Sequence, residues 1–182
     1  WFDRTGSPWL DATQPGVSMA SVSSDPTSTS PIALTIAFTE AVTGFVVGDI
    51  SVTGATSSGF SGSGANYSVN LTPTGQGAVT ASIAGGVAQD GASNGNTAAT
   101  QFSRMFDSAA PSVVLSTTAT NPTGISPIPV TATFNEDVTG FALADVAVTN
   151  ATKGNLVAVT AKVYTFNLTP SAQGSVTASV GA

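Results

Sequence analysis

The feature that most narrows the folds open to this chain is that it repeats itself. Pro31-Ile32 through Phe38-Thr39-Glu40 recurs as Pro127-Ile128 through Phe134-Asn135-Glu136, a shift of about 96 residues. The match runs on without a gap through Val42-Thr43-Gly44-Phe45 against Val138-Thr139-Gly140-Phe141, and Asp49-Ile50 against Asp145-Val146. One added residue then widens the shift to about 97. At that offset Tyr67 meets Tyr164, Leu71-Thr72-Pro73 meets Leu168-Thr169-Pro170, and Gly77 through Ser82 meets Gly174 through Ser179. Upstream, Leu10-Asp11 followed by Pro15 and Val17 stands where Phe106-Asp107 followed by Pro111 and Val113 stands one period later. Within 182 residues this repeat gives two units of about 90 to 100 residues, each able to bury a modest core.

The pattern inside each copy has a period of two. Leu34, Ile36 and Phe38 alternate with Ala33, Thr35, Ala37 and Thr39, and Val130, Ala132 and Phe134 alternate with small polar neighbours. Such alternation specifies a strand with one buried face. Further runs rich in Val, Thr, Tyr and Phe lie at 17–22, 49–54, 66–72, 78–84 and 98–106, separated by Gly, Pro, Asn and Ser clusters that favour turns. A single helical turn is expected at Phe45-Val46-Val47-Gly48-Asp49, and nothing else carries a helical period. The fold class is therefore all-β, with about seven short antiparallel strands per copy arranged as a sandwich. Phe38, Phe45 and Tyr67, and their repeats Phe134, Phe141 and Tyr164, fall on apolar faces and are expected in the core.

The frame of the repeat divides the chain into residues 1–11, a strand-like end of a preceding unit, residues 12–107, the first sandwich, and residues 108–182, the second. The second copy stops at the equivalent of Gly85 and so lacks its last loop and last strand, while Trp9-Leu10-Asp11 holds the place of Met105-Phe106-Asp107. Two explanations stand: a cut through a longer array, or donation of residues 1–11 into the unfinished sandwich of a neighbouring subunit. Trp1, Phe2, Trp9 and Leu10 are expected in interdomain or intersubunit packing.

Composition excludes several functions. The net charge is −6 with Arg4, Arg104, Lys153 and Lys162 as the only cations, too few for a phosphate-binding stripe, so nucleic acid is not an expected partner. With no His and no Cys, Ser-His-Asp, Cys-His and His-metal chemistry are all missing, and no catalytic residue is assigned. No apolar run approaches the length of a membrane span, so membrane insertion is not expected. Only 8% of residues are charged, and a surface of Ser, Thr, Gly and Asn suits an extracellular setting. Asn-x-Ser/Thr triplets at Asn66, Asn70, Asn150 and Asn167 are glycan acceptors only where a transferase exists.

The acidic residues suit calcium, which takes six to eight oxygen ligands. Seven strands running up and down bring Asp11, Glu40, Asp49, Asp90, Asn94 and Asn96 to one end of the first sandwich, and Asp107, Glu136, Asp137 and Asp145 to the same end of the second. The same side chains also cap turns by accepting backbone hydrogen bonds, so both uses remain open.

The order Asp-x-x-x-Pro-x-Val, Phe-x-Glu-x-Val-Thr-Gly-Phe, Asp-Ile, Tyr, Leu-Thr-Pro, Gly-x-Val and then Asp90 to Asn96 resembles the bacterial immunoglobulin-like domains of large surface adhesins. The absence of cysteine sets it apart from the disulfide-bonded immunoglobulin domain. The resemblance implies tandem immunoglobulin-like sandwiches in a stalk or spacer of a bacterial surface protein, extracellular, with neighbouring domains of the same kind as partners. Identical subunits of a filament or surface layer are the alternative.

Overall fold

Ile32, Leu34, Ile36 and Phe38 are buried while Ala33, Thr35, Ala37 and Thr39 face solvent, as the period-two pattern requires. They lie on β2, Ile32–Val42, at the centre of a sheet whose other members are β1, Val17–Ala20, and β4, Ala55–Pro73. A second sheet in the same unit is made by β3, Ile50–Thr53, β5, Gly77–Ile83, and β6, Phe102–Phe106, in the order β3-β5-β6. Every ladder in both sheets is antiparallel. The computed structural model describes residues 11–181, so Trp1, Phe2, Trp9 and Leu10 lie outside the described residues.

β4 is one element on paper and two strands in space. The Ser61 and Ser68 hydroxyls are 3.2 Å apart, whereas seven residues of straight strand span about 23 Å. The chain therefore reverses within β4, and a Cβ at Gly62 would collide with the Asn66 carbonyl. Counted this way the first unit has seven strands. Its N-terminal segment serves both sheets: β1 pairs with β2, and a few residues later Thr27 bridges Phe106 of β6.

The second unit begins after Ala109 and rebuilds this plan. β7, Val113–Ser116, β8, Ile128–Phe134, β10, Ala151–Ala158, and β11, Val163–Pro170, form one sheet in the order β10-β11-β8-β7. β9, Val146–Thr149, and β12, Thr177–Val180, form the other. A 3-10 turn precedes β3 at Val47–Asp49, where the sequence calls for a single helical turn, and another precedes β9 at Leu143–Asp145. β12 corresponds to β5, and among the described residues no counterpart of β6 lies beside it. Both units are thus all-β two-sheet structures.

Each core is organised around three rings. Phe38 meets Phe45 at 5.2 Å and Tyr67 at 5.9 Å, and Phe45 meets Tyr67 at 5.0 Å, all edge-on. The second unit repeats the set with Phe134, Phe141 and Tyr164 at 5.2, 5.9 and 5.1 Å. Each such pair adds about 0.5–1.5 kcal/mol beyond the area it buries. The tyrosine hydroxyls are satisfied in the same way, Tyr67 donating to the Val42 carbonyl at 3.5 Å and Tyr164 to the Val138 carbonyl at 3.1 Å.

Backbone geometry repeats as closely as the core. Gly54 has φ +76° and its counterpart Asn150 has φ +56°, and in both copies the carbonyl of this residue accepts from the chain beyond the Leu-Thr-Pro motif, from Thr74 and from Ser171, at 3.0 Å. Glycine and asparagine are the residues that tolerate this left-handed conformation. At Gly54 a Cβ would also run into the Ala78 carbonyl oxygen. Gly54→Ala is expected to destabilise the first unit by about 1–3 kcal/mol. Gly48→Ala, where a Cβ meets nothing within 4 Å, is expected to be neutral, and thermal unfolding of the two variants side by side checks the pair.

Candidate functional site

Three ties gather the carboxylates at one end of the first unit. Thr43, just past β2, exchanges backbone hydrogen bonds with Gln89: its N–H donates to the Gln89 carbonyl at 2.7 Å, and its carbonyl accepts the Gln89 N–H at 3.0 Å. Thr97 N–H donates to the Pro15 carbonyl at 2.9 Å, fixing the loop after β5 to the entry segment. The Asn94 amide donates through Nδ2 to the Asp11 carbonyl at 3.0 Å. The end of β2, the 89–97 loop and the start of the first unit are thereby held together.

Asp11, Glu40 and Asp90 are the residues these ties bring into one cluster, with one carboxylate oxygen from each lying within 4.8 Å of the others. Glu40 shares the inward parity of Phe38 and Val42, at the point where the β2 ladder shifts register, so its carboxylate stands partly buried at the open end of the core. Asp90 is 6% exposed. Its Oδ1 accepts the N–H groups of Ala92 and Asn94 at 2.8 Å each, and its Oδ2 accepts Asn94 Nδ2 at 2.8 Å. Asp11 Oδ1 accepts the Thr13 N–H at 2.9 Å.

The electrostatics divide the cluster. The Asn94 side-chain donor, joined by backbone N–H groups, holds the Asp90 carboxyl below the ordinary aspartate range against the opposing effect of burial. Among the described residues Glu40 has no such donors: loss of hydration pushes its carboxyl above the ordinary glutamate range, and the charges of Asp90 and Asp11 push it further. The described cations are engaged elsewhere. Arg104 donates to the Ser21, Ser23 and Ser103 carbonyls, Lys153 to that of Val146 and Lys162 to that of Asn135.

The remaining sequence candidates have other local partners. Asp49 Oδ2 accepts the Val46 N–H and Asp145 Oδ2 the Ala142 N–H, both at 2.8 Å, so each closes the 3-10 turn it ends, and neither is in the cluster. Asn94 sits beside the three carboxylates as donor to one of them, that of Asp90, and to the backbone carbonyl of Asp11. Asn96, 2% exposed, spends its Oδ1 on the Ala88 N–H at 2.8 Å and its Nδ2 on the Ala84 and Thr97 carbonyls at 2.9 and 2.8 Å, which makes it the pin of the loop. Asp107 Oδ1 accepts the Ala109 N–H at 3.0 Å. Glu136 is partly buried and Asp137 exposed, and with Asp145 they form no carboxylate cluster among the described residues of the second unit. The ties through Thr43, Gln89, Thr97 and Pro15 have no sequence signal, because their bonds run from backbone to backbone.

The two shifts have opposite signs in stability. Asp90, with its folded pKa lowered, supports the fold above the ordinary aspartate range and loses that support as pH falls through its lowered value. Glu40, with its folded pKa raised, favours the fold below the ordinary glutamate range and loses that advantage as pH rises through its raised value. In chelator, Glu40→Gln is therefore expected to raise the unfolding temperature of the first unit at neutral pH, with the gain vanishing in acid. Asp90→Asn is expected to lower it at neutral pH, by less as the pH falls, both read from thermal unfolding across pH.

Among the described residues no helix is long and apolar enough to cross a membrane, and no buried side-chain polar atom lacks a partner. Among curated proteins none matches. The family profile described as bacterial Ig-like domain matches residues 11–105 and again residues 107–181. With two matches that together span most of the sequence, and the same sandwich plan built in each, the chain belongs to the bacterial Ig-like domain family and carries two tandem copies of that domain.

Proposed function

We propose that the chain is a non-catalytic stalk or spacer segment of a bacterial extracellular surface protein, and that Asp11, Glu40 and Asp90 hold a calcium ion at one end of its first domain. The observation that carries the first part is the duplication itself: ring triad, tyrosine hydrogen bond, 3-10 turn and left-handed turn positions all recur. What is kept in both copies is what holds a sandwich together, and repetition of such units supplies length. No histidine or cysteine is present to activate a nucleophile. Antibodies raised against the chain are expected to label intact cells of the source bacterium, and external protease to remove the label. Labelling that requires lysis overturns the extracellular reading.

The calcium part rests on three clustered carboxylates to which none of the described cations is bonded, and on the raised proton affinity of Glu40, which a divalent cation would relieve. The three N–H hydrogen bonds to Asp90 leave one lone pair, on Oδ2, for a metal, and backbone carbonyls of the 89–97 loop are further oxygen donors. Calcium in excess over its dissociation constant is expected to raise the unfolding temperature of the first domain, by about 2.7 kcal/mol of stabilisation at a hundredfold excess. Glu40→Gln, stabilising in chelator, is expected to abolish the calcium response, and isothermal titration of the two proteins measures the difference.

A further inference from the structure

The chain enters the first domain at one end and leaves it at the other. Asp11 lies at the end that holds Glu40 and Asp90. β1 is antiparallel to β2, with Val17 opposite Phe38 and Ala20 opposite Thr35, so the entry segment runs away from that end toward the start of β2. β6 runs the same way, since Thr27 bridges its last residue, Phe106, in parallel, and the chain then leaves through Asp107. Tension between Asp11 and Asp107 therefore draws the entry segment one way and β6 the other, along their common direction. Bonds across that seam are loaded together, in shear, and are not opened one at a time from an end.

The seam is closed by backbone at its two ends and by side chains between them. At the entry, Thr97 N–H donates to the Pro15 carbonyl at 2.9 Å. At the exit, Thr27 N–H donates to the Met105 carbonyl and Asp107 N–H to the Thr27 carbonyl, both at 2.9 Å. In the middle, β1 pairs with β2 and not with β6, and a cleft of about 500 Å³ lined by Met19, Ser21, Thr100, Phe102 and others lies between β1 and β6. Arg104 reaches across from β6: its Nε donates to the Ser23 carbonyl at 3.2 Å and its Nη2 to the Ser21 carbonyl at 3.5 Å, with the guanidinium 5.0 Å from the centre of the Phe102 ring. Asp25 reaches the other way, its Oδ1 accepting the Met105 N–H at 2.8 Å.

We propose that the first domain is a force-bearing element whose resistance to unfolding under tension is set at this seam, with Arg104 and Asp25 as its side-chain latches. The proposal deepens the stalk reading and rests on it for its biological use. Each latch runs from one segment to a main-chain group of the other, so each passes load directly between the strand that enters and the strand that leaves. Both lie outside the buried core, Asp25 exposed and Arg104 half-buried, so core packing does not account for them. Arginine suits the place, because a planar guanidinium donates to two carbonyls while its face rests on an aromatic ring.

The test pulls the whole chain in optical tweezers at constant force. The sequence has no cysteine, so Ala12→Cys with Ala109→Cys defines the attachment points and loads the first domain alone. Arg104→Met and Asp25→Ala are each expected to unfold about tenfold or more faster than the parent at the same force. Ile83→Val, a buried position outside the seam, is expected to lower the thermal unfolding temperature and leave the forced rate within about twofold. Moving one attachment from Ala12 to Gly75, where a Cβ meets nothing within 4 Å, instead unzips β5 from β6 starting at the Gly77–Phe106 pair, and the domain is expected to open at markedly lower force. This comparison keeps both latches, so it stands even where a latch variant does not fold. Unchanged forced rates in the latch variants, forced rates that simply follow thermal stability across the three substitutions, or equal forces in the two pulling directions overturn the proposal. The purified chain is what is pulled, so failure here leaves the extracellular reading to the labelling experiment, and failure there leaves the seam in place.

Discussion

The packing on which the rest of each domain depends is the three-ring contact between the end of β2, the segment after it and the returning hairpin strand. Phe38 belongs to β2, Phe45 to the stretch that leads into the 3-10 turn, and Tyr67 to the second half of the β4 hairpin. Interlocked edge-on, they fix where the chain leaves the first sheet and how it crosses to the second. The tyrosine hydroxyl then ties the ring to the carbonyl of Val42, at the same exit. No disulfide is present, and this small cluster anchors the crossover segment to the first sheet. Glu40 sits two residues beyond Phe38, so the position of its carboxylate is a by-product of the ring packing.

Much of this was legible in the sequence because sandwich strands with one wet face write their orientation into every second residue. β2 reads off at once from Leu34, Ile36 and Phe38. The first half of the β4 hairpin does not: Thr56-Ser57-Ser58-Gly59-Phe60-Ser61-Gly62 is made of small polar residues with little intrinsic strand preference. It is a strand because Tyr67 and its neighbours present an edge to pair with, a tertiary cause that no local pattern records. Phe60, stacked on Tyr67 at 5.7 Å with 16° between the planes, is the one side chain there that hints at it.

The candidate site was half legible for a related reason. Aspartate serves equally well as a turn cap and as a metal ligand, since both uses ask for the same oxygen beside backbone N–H groups. Asp49 and Asp145 end 3-10 turns; Asp90 caps its own loop while facing two other carboxylates. Which aspartate meets its partners is decided by the Thr43–Gln89 and Thr97–Pro15 bonds, and these are blind to side-chain identity. The amide of Asn94 makes the cluster tolerable by donating to Asp90, and leaves Glu40 to carry the electrostatic cost.

The inner bend of the hairpin carries a further consequence for a chain made of similar units. Gly59 and Asn155 both hold the left-handed conformation at the same place in the hairpin, although the second hairpin is one residue longer, and the residue that follows is Phe60 in one copy and Leu156 in the other. Neighbouring repeats of like sequence are prone to exchange elements while they fold. A hairpin swapped between these copies would mismatch in length and in volume: leucine beside Tyr67 leaves a void, and phenylalanine in place of Leu156 overfills a smaller core. Divergence at this half-buried position and in the length of the bend thus gives each domain a preference for its own chain segment.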